Sequence, residues 1–119
     1  MDVPAIAAVD RLADLPDGWD SYGAPRVEEG ARQVAKDCLK QIQYVLGTRY
    51  MNPVVGPTPE GGVALIWRKE RGSEIDLLCS PNGARYLILS EGRQVVGQSE
   101  QPFRDCGDFA MQVLKRLDL

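Results

Sequence analysis

Apolar positions recur with a helical period near both ends of the chain and with a period of two in its middle. Val27, Ala31, Val34, Ala35, Cys38, Ile42 and Val45 fall on one face of a helix, and Leu39 and Leu46 widen the stripe. Glu28 and Glu29 complement the dipole at the start of that run, and Gly47 supplies a stop. The spacing predicts a helix over Val27–Leu46, roughly 30 Å long at about 1.5 Å per residue, lying across a sheet. Upstream, "PAIAAVDRLADL" predicts a shorter helix. Pro4 suits its first turn, Ile6, Val9 and Leu12–Ala13 make its stripe, and Pro16 ends it. The last residues, "RDCGDFAMQVLKRLDL", predict a third helix, with Phe109 or Ala110, Val113 and Leu117 on one side. Asp105 or Asp108 would cap it, and Lys115 and Arg116 suit its final turn.

Between the second and third helices the pattern changes to strands. "VALIWR" places Val63, Leu65 and Trp67 on one face and Ala64 and Ile66 on the other, and "EIDLLC" sets Glu74 and Asp76 opposite Ile75, Leu77 and Cys79. "RYLILS" and "RQVVGQ" follow, and "NPVVG" is a weaker candidate with Pro53 at its start. The connections are tight: "PTPEGG", "KERGS", "SPNGA" with its Asn82–Gly83 pair, and Glu91–Gly92. Short turns demand antiparallel neighbours. The expectation is a single α+β domain over residues 1–119. It has N-terminal helices, an antiparallel four- to five-stranded meander and a C-terminal helix packed on one face, with the other face wholly or partly open.

Composition changes this picture mainly by exclusion. The apolar fraction of 44% against 26% charged residues suits a folded domain. Apolar runs such as "VALIW" and "YLIL" are too short to span a membrane. The start, "MDVPAIAAVDRLADL", lacks the basic and apolar regions of a secretory signal, so a cytoplasmic protein is expected. Three cysteines, Cys38, Cys79 and Cys106, show no CxxC spacing and read as small buried apolar residues in a reducing compartment. The chain contains no histidine, which removes Ser-His-Asp and Cys-His catalysis and histidine-bearing metal sites. Cys106, near the presumed start of the last helix, and Cys79 would need an unusual base to act as nucleophiles. Net charge is −3, and Asp2, Asp10, Asp14, Asp17 and Asp20 face a single base, Arg11, within the first stretch. Such a surface repels phosphate backbones, so direct nucleic-acid binding is disfavoured. Arg68, Lys69 and Arg71 lie beside Glu70 and Glu74 and read as a solvated turn.

The candidate site is the loop "LPDGWDSYGAPRVEEGA". In its structural reading, Trp19 packs beneath the crossing of the first two helices, and Asp20 or Ser21 satisfies local backbone donors. In its functional reading the loop is an aromatic and acidic pocket that grips a cation, a sugar or a partner's basic side chain, with Asp14, Asp17, Trp19, Asp20 and Tyr22 as the partner-binding residues. Asp17, Asp20, Glu28 and Glu29 match no EF-hand or other ligand spacing, so no metal is expected. The glycines of "PTPEGGVALIW" lack the lysine and spacing of a phosphate loop and enter a strand, which makes a hairpin turn the better account.

"GWDSYGA" ahead of a long helix, followed by "PTPEGGVALIW" opening a strand, resembles a pattern in small bacterial and phage-borne proteins. Gly18, Trp19, Asp20, Tyr22, Gly23 and Ala24 carry its first part, and Pro57, Pro59, Gly61, Gly62 and Trp67 its second. The resemblance covers about the first half of the chain and implies a shared fold and a phage or mobile-element setting, with no activity attached. In that setting the expected role is a non-enzymatic, cofactor-free acidic protein. It would bind and inhibit or regulate a protein partner: a defence-system component such as a CRISPR effector, or a toxin. Acidic clusters steer binding to the basic surface of a nucleic-acid-handling protein. The alternative is a small-ligand module with a pocket between sheet and long helix near Trp19, Tyr22 and Trp67. A homodimer through an unpaired strand such as "RQVVGQ" stays open.

Overall fold

The computed structural model describes residues 4–68, 72–92 and 94–98. Helix α1 spans Pro4–Arg11 and tightens into a 3-10 turn over Leu12–Asp14. Helix α2 spans Glu29–Leu46 and passes into a second 3-10 turn, Gly47–Arg49. The strands are β1 Val54–Pro57, β2 Val63–Arg68, β3 Ser73–Cys79, β4 Arg85–Glu91 and β5 Gln94–Gln98. They form one antiparallel sheet in the order β1-β2-β3-β4-β5, so the expected α+β meander is found with five strands. The expected C-terminal helix falls outside the described residues.

The register assigns the faces. Val63 pairs with Cys79, Leu65 with Leu77 and Trp67 with Ile75, and all six side chains are buried. Helix α1 adds Ala5, Val9 and Leu12 to this core, and α2 adds Ala31, Ala35, Cys38, Leu39, Ile42 and Leu46. Both helices therefore lie on the same face of the sheet. Each buried Leu or Ile in this layer contributes about 1.5–3 kcal/mol relative to exposure. Trp67 sits at its heart, 1% exposed. Its indole Nε1 donates to the Met51 carbonyl at 2.8 Å, which satisfies the one polar atom it brings inside.

The α2 stripe is rotated from the expected one. Leu39 and Leu46 point inward, Val34 is half-buried and Val45 is exposed. The helix also begins two residues later than the apolar spacing predicts. Glu28 is its N-cap, with extended φ −78 and ψ 149, and Val27 is buried on an extended approach. The cause lies in another element: the Glu28 N–H donates to the Gly61 carbonyl at 2.9 Å, which holds the chain extended ahead of α2.

The turns "TPEGG" and "SPNGA" fold alike. Gly61 N–H returns to Thr58 O at 3.1 Å and Thr58 N–H to Gly62 O at 3.0 Å, while Gly83 N–H returns to Ser80 O at 3.0 Å and Ser80 N–H to Ala84 O at 2.8 Å. In each, proline presets the second position and a glycine takes the left-handed conformation, φ 85 at Gly61 and 89 at Gly83. Asn82–Gly83 thus closes a three-residue rather than a two-residue hairpin loop. Side chains brace both turns: Thr58 Oγ1 accepts from Gly62 N–H at 2.9 Å and Asn82 Oδ1 from Ala84 N–H at 3.0 Å.

A Cβ at Gly62 would stand 2.5 Å from the Cys79 carbonyl oxygen and 2.9 Å from Thr58 Oγ1, whereas one at Gly56 meets nothing within 4 Å. Gly62→Ala is therefore expected to lower stability by about 1–3 kcal/mol in urea unfolding. Gly56→Ala serves as the control and should change it far less.

Candidate functional site

The loop between the helices is folded on itself by its own acids. Asp17 Oδ1 accepts from Arg26 N–H at 2.9 Å, and Asp20 Oδ1 accepts from Tyr22 N–H at 2.9 Å and Ala24 N–H at 3.1 Å. Gly18 N–H donates to Ala24 O at 2.7 Å, and Trp19 Nε1 to Pro25 O at 3.2 Å. The Arg26 guanidinium reaches the Ala13 carbonyl at 3.3 Å, which ties the loop to the end of the first helical segment. Ala24 and Val27 are buried beneath. The two bonds at Asp20, from Tyr22 first and then Ala24, hold its carboxyl below the ordinary aspartate range, so it stays ionised at neutral pH.

Ser21 is the exception to the loop's conformational economy. It holds φ 66, a left-handed backbone that costs a residue other than glycine on the order of 1 kcal/mol. Its N–H donates to Gly18 O at 2.9 Å, and the Asp20 carboxylate grips the next peptide, so bonds on both sides hold it there. The consequence is the direction of Tyr22, which projects into solvent 92% exposed. Trp19 is half-buried at the loop's base, and Asp14 is exposed on the 3-10 turn.

The structure thus brings Asp17, Trp19, Asp20 and Tyr22 together in one loop, with Asp14 just ahead of it. It does not bring Trp19, Tyr22 and Trp67 into one pocket. Trp67 belongs to the core, and a side chain as exposed as Tyr22 lines no cavity. One cavity of about 260 Å³ lies elsewhere, between the two Pro-x-Gly turns, lined by Thr58, Glu60, Leu78, Cys79, Ser80, Pro81 and Tyr86. Burial pushes the Cys79 thiol up to about 12, which leaves it neutral and unreactive. Cys79 is a free buried thiol, as read from the sequence. Cys38 is buried but disulfide-bonded, a correction to its reading as a reduced residue, and Cys106 lies outside the described residues. Among the described residues no group of three or more His, Cys, Asp or Glu side chains is placed to hold a metal ion, and no helix is long and apolar enough to cross a membrane.

Sequence reading passed over a second constellation, on the sheet face that α1 and α2 leave uncovered. Asp76 pairs across the sheet with Ile66 on one side and Ile88 on the other. Its Oδ1 is shielded from solvent and accepts no hydrogen bond. Glu74, two residues away on the same face, is held by Arg68 Nε at 2.6 Å, which keeps its carboxyl low. Burial, reinforced by Glu74, pushes the Asp76 carboxyl up to about 6. The hint in the sequence was Leu78, an apolar residue on the strand face that otherwise carries Glu74 and Asp76.

No protein-family model matches the chain, and neither a curated protein nor a solved structure matches it.

Two outcomes are expected. Asp20→Ala should speed hydrogen exchange at the Tyr22 and Ala24 amides, while Asp20→Asn, which keeps an acceptor oxygen, should largely preserve their protection. Asp76 is raised in the folded state, so its charged form is the costly one. That cost is complete above about pH 6 and fades as pH falls towards the ordinary aspartate range. Asp76→Asn should accordingly raise the Tm by about 1–3 °C at pH 7.5 and leave it unchanged near pH 4, as read by calorimetric scans.

Proposed function

We propose that this chain is a non-enzymatic interaction protein that binds and inhibits or regulates a protein partner, with Tyr22 as its anchor. The observation that carries this reading is the pairing of a fully presented tyrosine with a backbone pinned at every step around it. Tyrosine contributes a large contact area with few torsions to immobilise, and a pre-formed loop has already lost the entropy that binding would otherwise cost. The strained Ser21 supports the same reading, since strain of that kind persists where a geometry is used.

The acids define the kind of partner. Asp14 is exposed, and Asp17 and Asp20 bring negative charge to the rim of the same loop while one oxygen of each serves its backbone. A basic surface on a nucleic-acid-handling protein is the complementary partner, with steering strongest at low salt. The resemblance of "GWDSYGA" and "PTPEGGVALIW" to bacterial and phage-borne proteins favours a defence-system component or a toxin as that partner.

Purified from its native cells with an affinity tag, the protein is expected to carry a stoichiometric protein partner in native mass spectrometry. A bare chain, or one with only a small added mass, would count against the reading. Tyr22→Ala should weaken the complex by roughly 30-fold, the effect of losing about 2 kcal/mol at a binding hot spot, with an unchanged Tm. Asp14→Lys should slow association at low salt. Asp17 and Asp20 are unsuitable for that test because they build the loop.

A further inference from the structure

We infer that Cys38 and Cys106 form a thiol–disulfide switch that joins the end of the chain to α2, with Arg85 as the positioning residue that makes the bond exchangeable. The pairing follows from a count. The chain has three cysteines, Cys38 is disulfide-bonded and Cys79 is a free thiol, so Cys106 is the partner. The path of the sheet leads to the same pair. Gln98, the last residue of β5, stands opposite Ile88, and β5 runs along β4 towards Arg85. Arg85 lies three residues from Ile88, about 10 Å along the strand, and its Nε–H donates to Cys38 Sγ at 3.1 Å. Cys106 comes eight positions after Gln98, a reach of up to about 27 Å, so the chain spans that gap with length to spare.

Chemistry distinguishes an exchangeable bond from a permanent one. Cys38 is 0% exposed, in the layer that α2 packs on the sheet, so an external thiolate is shut out from its sulfur and exchange begins at Cys106. The attacking sulfur bonds to Cys106, the S–S bond breaks, and its electron pair leaves on Cys38 as a thiolate. A second thiolate then takes the first attacker's sulfur and releases Cys106 as a thiolate. Two electrons pass in all, from two molecules of a small thiol such as glutathione, which end as their own disulfide. A leaving thiolate departs faster when its charge is stabilised, and a permanently charged guanidinium stands at the sulfur that leaves. The same group acts on a neighbour: at Cys79, opposite Arg85 in the register, burial pushes the thiol up to about 12 while Arg85 pulls it down. Attachment of the C-terminal stretch to α2 thus follows the thiol–disulfide balance of the surroundings.

The first test is peptide mapping, without reduction and at low pH, of protein equilibrated with oxidised glutathione. A linked Cys38–Cys106 pair is expected, with Cys79 alkylated once the chain is unfolded. A link through Cys79, or no link at all, would overturn the inference. Opening of the bond by reduced glutathione is then timed by acid trapping. Arg85→Gln should slow it about tenfold, and Arg85→Lys, which keeps a cation near the sulfur, should restore most of the rate. Loosened packing would speed opening, so slower exchange separates a charge effect from a structural one. In reduced Cys106→Ser protein, thiolate absorbance should show Cys38 titrating about one pH unit lower than in the Cys106→Ser/Arg85→Gln double variant, the same tenfold factor. Equal or faster opening in Arg85→Gln, or an unmoved Cys38 titration, would sink the switch.

Discussion

The fold depends on a place where backbones meet with no side chain between them. The extended approach to α2 donates Glu28 N–H to Gly61 O, Gly62 lies against the Cys79 carbonyl, and a Cβ on Gly30 would stand 2.8 Å from the Pro81 carbonyl. One loop, two hairpin turns and the first turn of the long helix are thus joined within a few ångströms. The arrangement fixes where α2 begins and hence how its apolar stripe meets the sheet. It also explains why "GWDSYGA" and "PTPEGG" belong together physically. The first loop, through Trp19 and Asp17, shapes the Pro25–Arg26 segment, and that segment rests on Gly61 of the second.

Such a junction is poorly legible in a linear sequence. "VALIWR" could be read to the residue because alternation, length and flanking turns all report on the same local element, and β2 is Val63–Arg68. The meander followed from turns too short for anything but antiparallel neighbours. The start of α2 was misplaced because Val27 has the helical spacing, yet the next residue, Glu28, is held by a hydrogen bond to a hairpin more than thirty residues away, an interaction with no local signature. The expectation that Asp20 satisfies local donors was met because an Asx-type turn is itself local. Trp67, placed by alternation on one strand face with Val63 and Leu65, is core. The pocket imagined around it failed because one indole cannot both fill the interior and line an opening.

The sheet face that α1 and α2 do not cover illustrates a different limit. Alternation in "EIDLLC" showed that Glu74 and Asp76 share a side, and an acid on a strand is ordinarily a mark of solvent. Only the cross-strand register, which sets Asp76 between Ile66 and Ile88, reveals an apolar setting for that carboxylate. The sequence contains both isoleucines, but not the fact that they are its neighbours. Charge counted along a chain is a statement about solubility, whereas charge counted within a register is a statement about recognition.

The two outer strands of the described sheet share a last constraint. In β5, Leu89 pairs with Gly97 and Ser90 with Val95, so Val96 is an extra residue that bends the strand and breaks its ladder. At the opposite border β1 is only four residues long and ends at Pro57, which has no N–H to offer. In β5 Val95 and Val96 are exposed, at 55% and 52%, a composition that would invite a foreign strand if that border were straight. Bulge and proline together deny the sheet a clean template for strand addition. A foreign strand would meet a bent border on one side and a short, proline-ended one on the other.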